Sequence, residues 1–197
     1  MSKRKLYSLS GLFFDILFSA VYLVFGILTR SWWLLTLCSY YLILSSVRFA
    51  VIVMNDDRWD ILKFTGKMLM LISLPLAGTV MLSLIRDRGH EINMILMIAI
   101  AAYTFTKITL SSVNLVRLRR SGTARHVAEA NISFADSLAS IFALQRSMLA
   151  TFEGMDPAEI MIMNAFLGIG VLIAVFLLGV NLVKKENENS KLRDITE

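Results

Sequence analysis

The sequence predicts an all-α fold, a polytopic transmembrane helical bundle of six spans, and three observations carry the prediction. Of the 197 residues, 56% are hydrophobic and only 18% are charged, whereas soluble domains average about 25% charged residues. The apolar residues fall in blocks of about 22, which is the length that crosses a bilayer as a helix. The blocks lack the period-two alternation of barrel strands.

The six predicted spans cover residues 7–29, 32–54, 62–85, 92–116, 131–152 and 159–183. The loops between them are too short to bury a core of their own. We therefore expect residues 1–197 to form a single six-helix transmembrane domain. The helix that contains the last span is predicted to begin at Pro157, a proline at the first helical position, with Asp156 as its N-cap.

Basic residues predict the orientation of the spans. Counting those at span edges, thirteen Lys and Arg lie on the side of the two termini, against Arg30, Arg86 and Arg88 on the other. Positive charge stays cytoplasmic, so both termini are expected inside. This asymmetry accounts for most of the net charge of +5, which therefore does not indicate nucleic acid. The predicted loop 117–130 contains Arg117, Arg119, Arg120 and Arg125. These arginines either contact anionic lipid head groups or only keep the loop on the cytoplasmic side.

Five ionisable residues lie well inside the cytoplasmic half of the predicted spans, where a charge is costly and needs a partner or water. At about 1.5 Å per residue, they lie roughly 8–14 Å from the cytoplasmic ends of five different helices. They are Asp15, Arg48, Lys67, Lys107 and Asp136. We interpret them as a substrate or ion pathway, or else as a charge network that pairs helices.

The predicted centre of this group is a contact between Asp15 and Lys107, direct or through one water, because their estimated depths agree to about 2 Å. Arg48 and Asp136 would complete a four-charge cluster. Three alternatives remain open. Arg48 and Lys67 could snorkel to the head groups, a fifth helix that began at Ser133 would place Asp136 in its first turn, and the contact could be purely structural.

Further polar residues lie at helical spacing on the same faces, or in the outer half of the bundle. Gln145 is expected to share hydrogen bonds with Asn164, and Arg146 to extend outward towards Glu153. Small and polar residues on one face of a span pack against other helices or line a cavity. The complete set of secondary polar positions is Tyr22, Tyr41, Ser45, Ser111, Asn114, Gln145, Arg146 and Asn164.

The residues that enzymes and cofactor proteins need are missing from the spans. The only cysteine, Cys38, lies inside a span, and both histidines, His90 and His126, lie in predicted loops. No zinc-hydrolase, serine-hydrolase, phosphate-loop or dinucleotide-binding pattern occurs. We therefore expect no catalytic residue, no metal site and no cofactor, and the chain is not expected to be an enzyme.

Four stretches resemble a family of bacterial multi-pass inner-membrane proteins that has no assigned function. They are LTRSWWLL at 28–35, YYLILS at 40–45, NISFAD at 131–136 and LQRSML at 144–149. The resemblance implies six helices and the bacterial cytoplasmic membrane, and it implies no activity or ligand.

Two functions are compatible with these features. The leading hypothesis is a small transport-related protein that handles an ion or polar solute in a charged chamber near the inner leaflet. The competing hypothesis is a non-transporting partner protein (a sensor, immunity or assembly subunit) whose charges only pair helices. The expected partners are the lipid bilayer and either a second copy of the chain or another membrane subunit.

The orientation can be tested with single cysteines in a Cys38→Ser background. A cysteine at Gly154 should react with an impermeant thiol reagent added outside intact cells, whereas a cysteine at Ser121 should react only after the membrane is opened. The physical reason is the charge asymmetry of the loops. External labelling at Ser121 but not at Gly154 would reverse the orientation.

Overall fold

Six helices make up the structure, a computed structural model that describes residues 3–28, 30–54, 61–85, 94–121, 123–151 and 155–196. Within these ranges the chain forms no β-strand. The helices are α1 (Lys3–Leu28), α2 (Trp32–Val53), α3 (Ile61–Ile85), α4 (Met94–Ser121), α5 (Ala124–Thr151) and α6 (Pro157–Thr196). The predicted all-α bundle is confirmed.

Five of these helices are long and apolar enough to cross a membrane within the described residues. α4 carries Lys107 and Asn114 along with several hydroxyl side chains. Its polar content follows from its position, because one of its faces packs on α5.

The helices extend further than the predicted spans at the end of the bundle that holds both termini. α4 continues to Ser121 and α5 already begins at Ala124, so each has 28 residues and measures about 42 Å. The hydrocarbon core is only about 30 Å thick. These helices and the 40-residue α6 therefore continue beyond the apolar layer.

Local capping explains two of the helix ends. The backbone N–H of Ala158 donates to Oδ1 of Asp156 at 3.2 Å, which confirms Asp156 as the N-cap of α6. At the C-terminal end of α1, the N–H of Ser31 donates to Gly26 O and the N–H of Arg30 donates to Ile27 O. Arg30 has a φ of 49°, so this turn is a Schellman motif with arginine in the position that glycine usually occupies.

The bundle has a core of four helices and two peripheral ones. α3 packs on α6, and both contact α5, while α2 bridges α3 and α5. The core side chains include Tyr40, Ile72, Leu76 and Phe142, all fully enclosed. α1 packs mainly on α2, and α4 packs mainly on α5. The two peripheral helices thus stand on either side of the α2–α5 contact.

Two glycines allow α3 and α6 to approach each other closely. A Cβ atom added at Gly66 would lie 2.6 Å from the carbonyl oxygen of Gly179, and one added at Gly179 would lie 2.7 Å from that of Gly66. Small residues allow this approach between membrane helices, where packing replaces the hydrophobic effect as the driving force.

Gly66→Ala should therefore destabilise the bundle by about 1–3 kcal/mol, the usual cost of overpacking. Unfolding in mild detergent, followed by circular dichroism, measures the effect. Gly170→Ala on α6 is the matched control, because a Cβ atom there would meet nothing within 4 Å and alanine is the better helix former. Equal stability of the two variants would contradict the close α3–α6 contact.

Candidate functional site

Four charged side chains from four helices meet inside the bundle, and we call them the charged cluster: Asp15, Arg48, Lys107 and Asp136. Arg48 Nε donates to Asp15 Oδ2 at 2.7 Å, and Lys107 Nζ donates to Asp136 Oδ1 at 2.7 Å. Arg48 Nη2 also lies 3.7 Å from Asp136 Oδ2. The cluster is a chain of ion pairs with no net charge.

Burial makes this pairing obligatory. The exposed fractions are 1% for Asp15, 3% for Arg48 and 4% for Asp136. Removing one partner of a buried pair leaves an uncompensated charge, which costs about 3–5 kcal/mol. Lys107 differs from the other three, because 16% of its side chain is exposed.

Serine hydroxyls of α5 complete the coordination of the two cations. Arg48 Nη1 donates to Ser133 Oγ at 3.2 Å, and Lys107 Nζ donates to Ser140 Oγ at 2.9 Å. With Asp136, these residues occupy positions 133, 136 and 140, which lie on one face of a helix. One face of α5 therefore contacts both cations.

A glycine on α1 makes room for the guanidinium. A Cβ atom at Gly11 would lie 2.5 Å from Nη1 of Arg48, so any larger residue would displace the group. Gly11 precedes Asp15 by four residues and shares its helix face. The first helix thus supplies both the space for the guanidinium and the carboxylate that neutralises it.

The pairing within the cluster differs from the prediction. Asp15 and Lys107 make no contact with each other within 4.0 Å in the described structure; Asp15 pairs with Arg48, and Lys107 pairs with Asp136. The direct form of the predicted contact is wrong because each acid pairs with a base on the helix it packs against, α1 on α2 and α5 on α4, while the form through one water stays a prediction.

Two of the simpler interpretations are also wrong. α5 begins at Ala124, twelve residues before Asp136, so this aspartate does not lie in a first turn. Arg48 is 3% exposed and points into the bundle, so it does not snorkel. Lys67 lies apart from the charged cluster on an exposed position of α3, where snorkelling applies.

Aromatic rings cover one side of the cluster. The ammonium of Lys107 lies 5.9 Å from the ring centroids of both Phe18 and Tyr103, within the range of a cation–π contact. Tyr22 stacks on Tyr41 at 5.5 Å, and the Tyr41 hydroxyl lies 3.3 Å from Ser140 Oγ. Phe18 and Tyr103 were not predicted, although Tyr103 precedes Lys107 by one helical turn.

A cavity of about 200 Å³ lies beside the charged cluster, and we call it the cleft. Its walls come from α1 and α4, and its floor comes from α2 and α5. The lining residues are Gly11, Phe14, Arg48, Tyr103, Thr106, Lys107, Leu110, Ser111, Ser133, Asp136 and Ser137. Arg48, Lys107 and Asp136 thus border open space as well as each other.

The remaining inner polar positions have mainly structural contacts. Ser111 Oγ lies 2.8 Å from Ser137 Oγ and joins α4 to α5. Ser45 donates to Leu42 O in its own helix at 2.9 Å. Asn114 is half-buried near the end of α4.

In the outer half, Gln145 Nε2 donates to Met163 O of α6 at 2.8 Å, the residue next to the expected partner Asn164. Asn164 itself is 2% exposed. Arg146 is 5% exposed, with Nη1 bonded to Ser83 O at 3.1 Å. The Arg146 guanidinium lies 4.7 Å from the Trp33 ring centroid. Glu153, its predicted partner, lies outside the described residues.

The basic loop residues divide into two groups. Arg125 turns inward and donates from Nη2 to Ile52 O at 2.7 Å, which satisfies a carbonyl near the end of α2. Arg117 is exposed. The side chains of Arg119 and Arg120 lie outside the described part of the chain.

Comparison with known proteins provides no relative to which the site could be compared. No family model matches the chain, and no curated protein and no solved structure matches it. The resemblance to a bacterial membrane family therefore stays a prediction. The described residues contain no group of three His, Cys, Asp or Glu side chains that could hold a metal ion.

A double-mutant cycle tests the Asp15–Arg48 pair. Arg48→Met should destabilise the protein by about 3–5 kcal/mol, because it strands the buried carboxylate of Asp15. Asp15→Asn combined with Arg48→Met should recover most of this loss. Thermal unfolding in detergent measures both. Additive losses in the double variant would show that the two residues do not interact.

Proposed function

We propose that the protein is a small transport-related membrane protein that handles an ion or a polar solute at the charged cluster. We further propose the bacterial cytoplasmic membrane as its location, with both termini inside. Neither a catalytic role nor a cofactor is part of the proposal. The proposed lipid contacts are anionic head groups near Arg117, Arg119 and Arg120, whereas Arg125, the fourth residue predicted for this role, bonds to Ile52 O.

The single observation that carries this proposal is the position of Lys107 and Asp136 on the wall of the cleft. An ion pair that only holds helices together gains from complete enclosure, because water and lipid are then kept away from both charges. The Asp15–Arg48 pair comes close to this, with side-chain exposures of 2% and 4% and only Arg48 on the edge of the cleft. Lys107 instead borders open space, where an incoming solute could exchange with its present partners.

A second candidate is the non-transporting partner protein. It is favoured by α1, since only 17% of its apolar span is buried and α2 is its main packing partner. A helix of another membrane subunit, or of a second copy, could cover the remaining face. In that case the charged cluster would serve only to fix α1 and α4 on the bundle.

The test uses proteoliposomes and the double variant Lys107→Met/Asp136→Asn. Both charges of one pair disappear, so the fold should keep its unfolding temperature. Flux of a panel of monovalent ions and small polar solutes should fall by at least about tenfold, since a charge-assisted hydrogen bond contributes about 1.5–3 kcal/mol.

Lys67→Met is the matched control, because it removes an exposed lysine from another helix and should leave flux unchanged. Flux that persists in the double variant would make the cluster structural. No flux from the wild-type chain, together with a stoichiometric membrane partner in purification, would favour the second candidate.

A further inference from the structure

We infer that the cleft binds the phosphate group of an anionic amphiphile, whose apolar chain leaves between α1 and α4. This inference rests on the proposed function, because it names the substrate class of the same site. The size of the cleft, the charges on its wall and the chemistry of its mouth support it independently of one another.

The size of the cleft excludes a large enclosed solute. Sites that enclose a whole drug-sized ligand measure about 300–1,000 Å³, whereas the cleft measures about 200 Å³. It therefore holds a small group or one end of a larger molecule. A phosphate ester is of this kind.

The charges that face the cleft favour an anion. The lining residues include two cations, Arg48 and Lys107, and one carboxylate, Asp136. The other carboxylate, Asp15, is only 1% exposed and is bonded to Arg48 Nε at 2.7 Å. The wall thus presents one positive charge more than negative, although the cluster as a whole is neutral.

Hydrogen-bond donors remain available on this wall. Lys107 has three N–H donors, and Asp136 and Ser140 accept two of them. Arg48 has five, of which Asp15 and Ser133 accept one each within the described structure. Asp136 Oδ1 accepts from Lys107, and its Oδ2 lies 3.7 Å from Arg48 Nη2, so both of its oxygens already face a cation of the protein. Spare donors beside an engaged carboxylate are what a phosphate oxygen requires.

Exposed apolar side chains border the mouth of the cleft beside Tyr103 and Thr106, and this favours an amphiphile over a free ion. Phe14 on α1 is 44% exposed and Leu110 on α4 is 53% exposed, and both line the cleft. α1 and α4 are the two peripheral helices, each packed mainly on one neighbour. The opening between them faces the region where lipid chains lie, with the charges at its base.

The experiment titrates the full-length protein in neutral detergent, by calorimetry, with short-chain phosphatidylglycerol. The expected result is saturable binding of one molecule per chain. Short-chain phosphatidylcholine, which has no net charge, should bind at least about tenfold more weakly, because its choline group cancels the advantage of an anion at this wall. Glycerol 3-phosphate should bind weakly, because it lacks the chain that fills the mouth.

Two variants test the site. Lys107→Met should weaken phosphatidylglycerol binding by about tenfold or more, while Lys67→Met should not change it. Leu110→Trp should block the mouth with every charge left in place, so it reports on the cleft even if Lys107→Met unfolds. Its control is Val113→Trp, because Val113 is 59% exposed on the same helix and is not a lining residue of the cleft.

The outcomes separate this inference from the proposed function. Equal binding of both lipids, or binding that survives Leu110→Trp, overturns the inference and leaves the flux experiment to decide on transport. If glycerol 3-phosphate binds as tightly as the lipid, the inference of an amphiphilic ligand is wrong and the site is assigned to a free phosphate ester. Lipid binding that is lost in both variants, in a protein without flux, supports the inference and rejects transport.

Discussion

The inner half of the bundle depends on the contacts that the guanidinium of Arg48 makes within the charged cluster. The guanidinium projects from α2, bonds to Asp15 of α1 at 2.7 Å and to Ser133 of α5 at 3.2 Å, and lies 3.7 Å from Asp136. A charge at this depth in lipid costs several kcal/mol without partners. The contacts of this one arginine therefore join α1 and α5 to α2, and Gly11 leaves the space for it.

Four of the five charged residues predicted for the network, all but Lys67, meet in the charged cluster, but their pairing could not be predicted from the sequence. Charges inside apolar blocks must find partners, and helical spacing places Asp15, Lys107 and Asp136 on the polar faces of their helices. Depth along a helix is one coordinate, however, and pairing also needs the order of helices around the bundle. That order comes from contacts such as Gly66 against Gly179, which apolar periodicity does not encode.

Helix ends show a related limit. Asp156 and Pro157 mark the start of α6 by local chemistry, and the sequence was sufficient there. The start of α5 at Ala124 was missed because Arg125, His126 and Glu129 interrupt the apolar pattern of its first turns. Hydropathy locates the part of a helix that lipid covers, and it says nothing about a continuation into water. The serine and aspartate at 133 and 136 then resembled a cap, although they lie inside a helix.

The two ion pairs of the cluster, although close together, meet different physical demands. Asp15 and Arg48 are almost fully buried, and only Arg48 reaches the edge of the cleft, so their attraction is strong. Lys107 and Asp136 lie at the edge of the cleft, where 16% of the lysine side chain is exposed. The lysine ammonium also lies within cation–π range of the Phe18 and Tyr103 rings. Exchanging Asp136 for another partner costs least at such a partly exposed lysine, because its ammonium has not been removed completely from solvent. If the cluster moves or binds anything, the change begins at Lys107, while Arg48 keeps the helices in place.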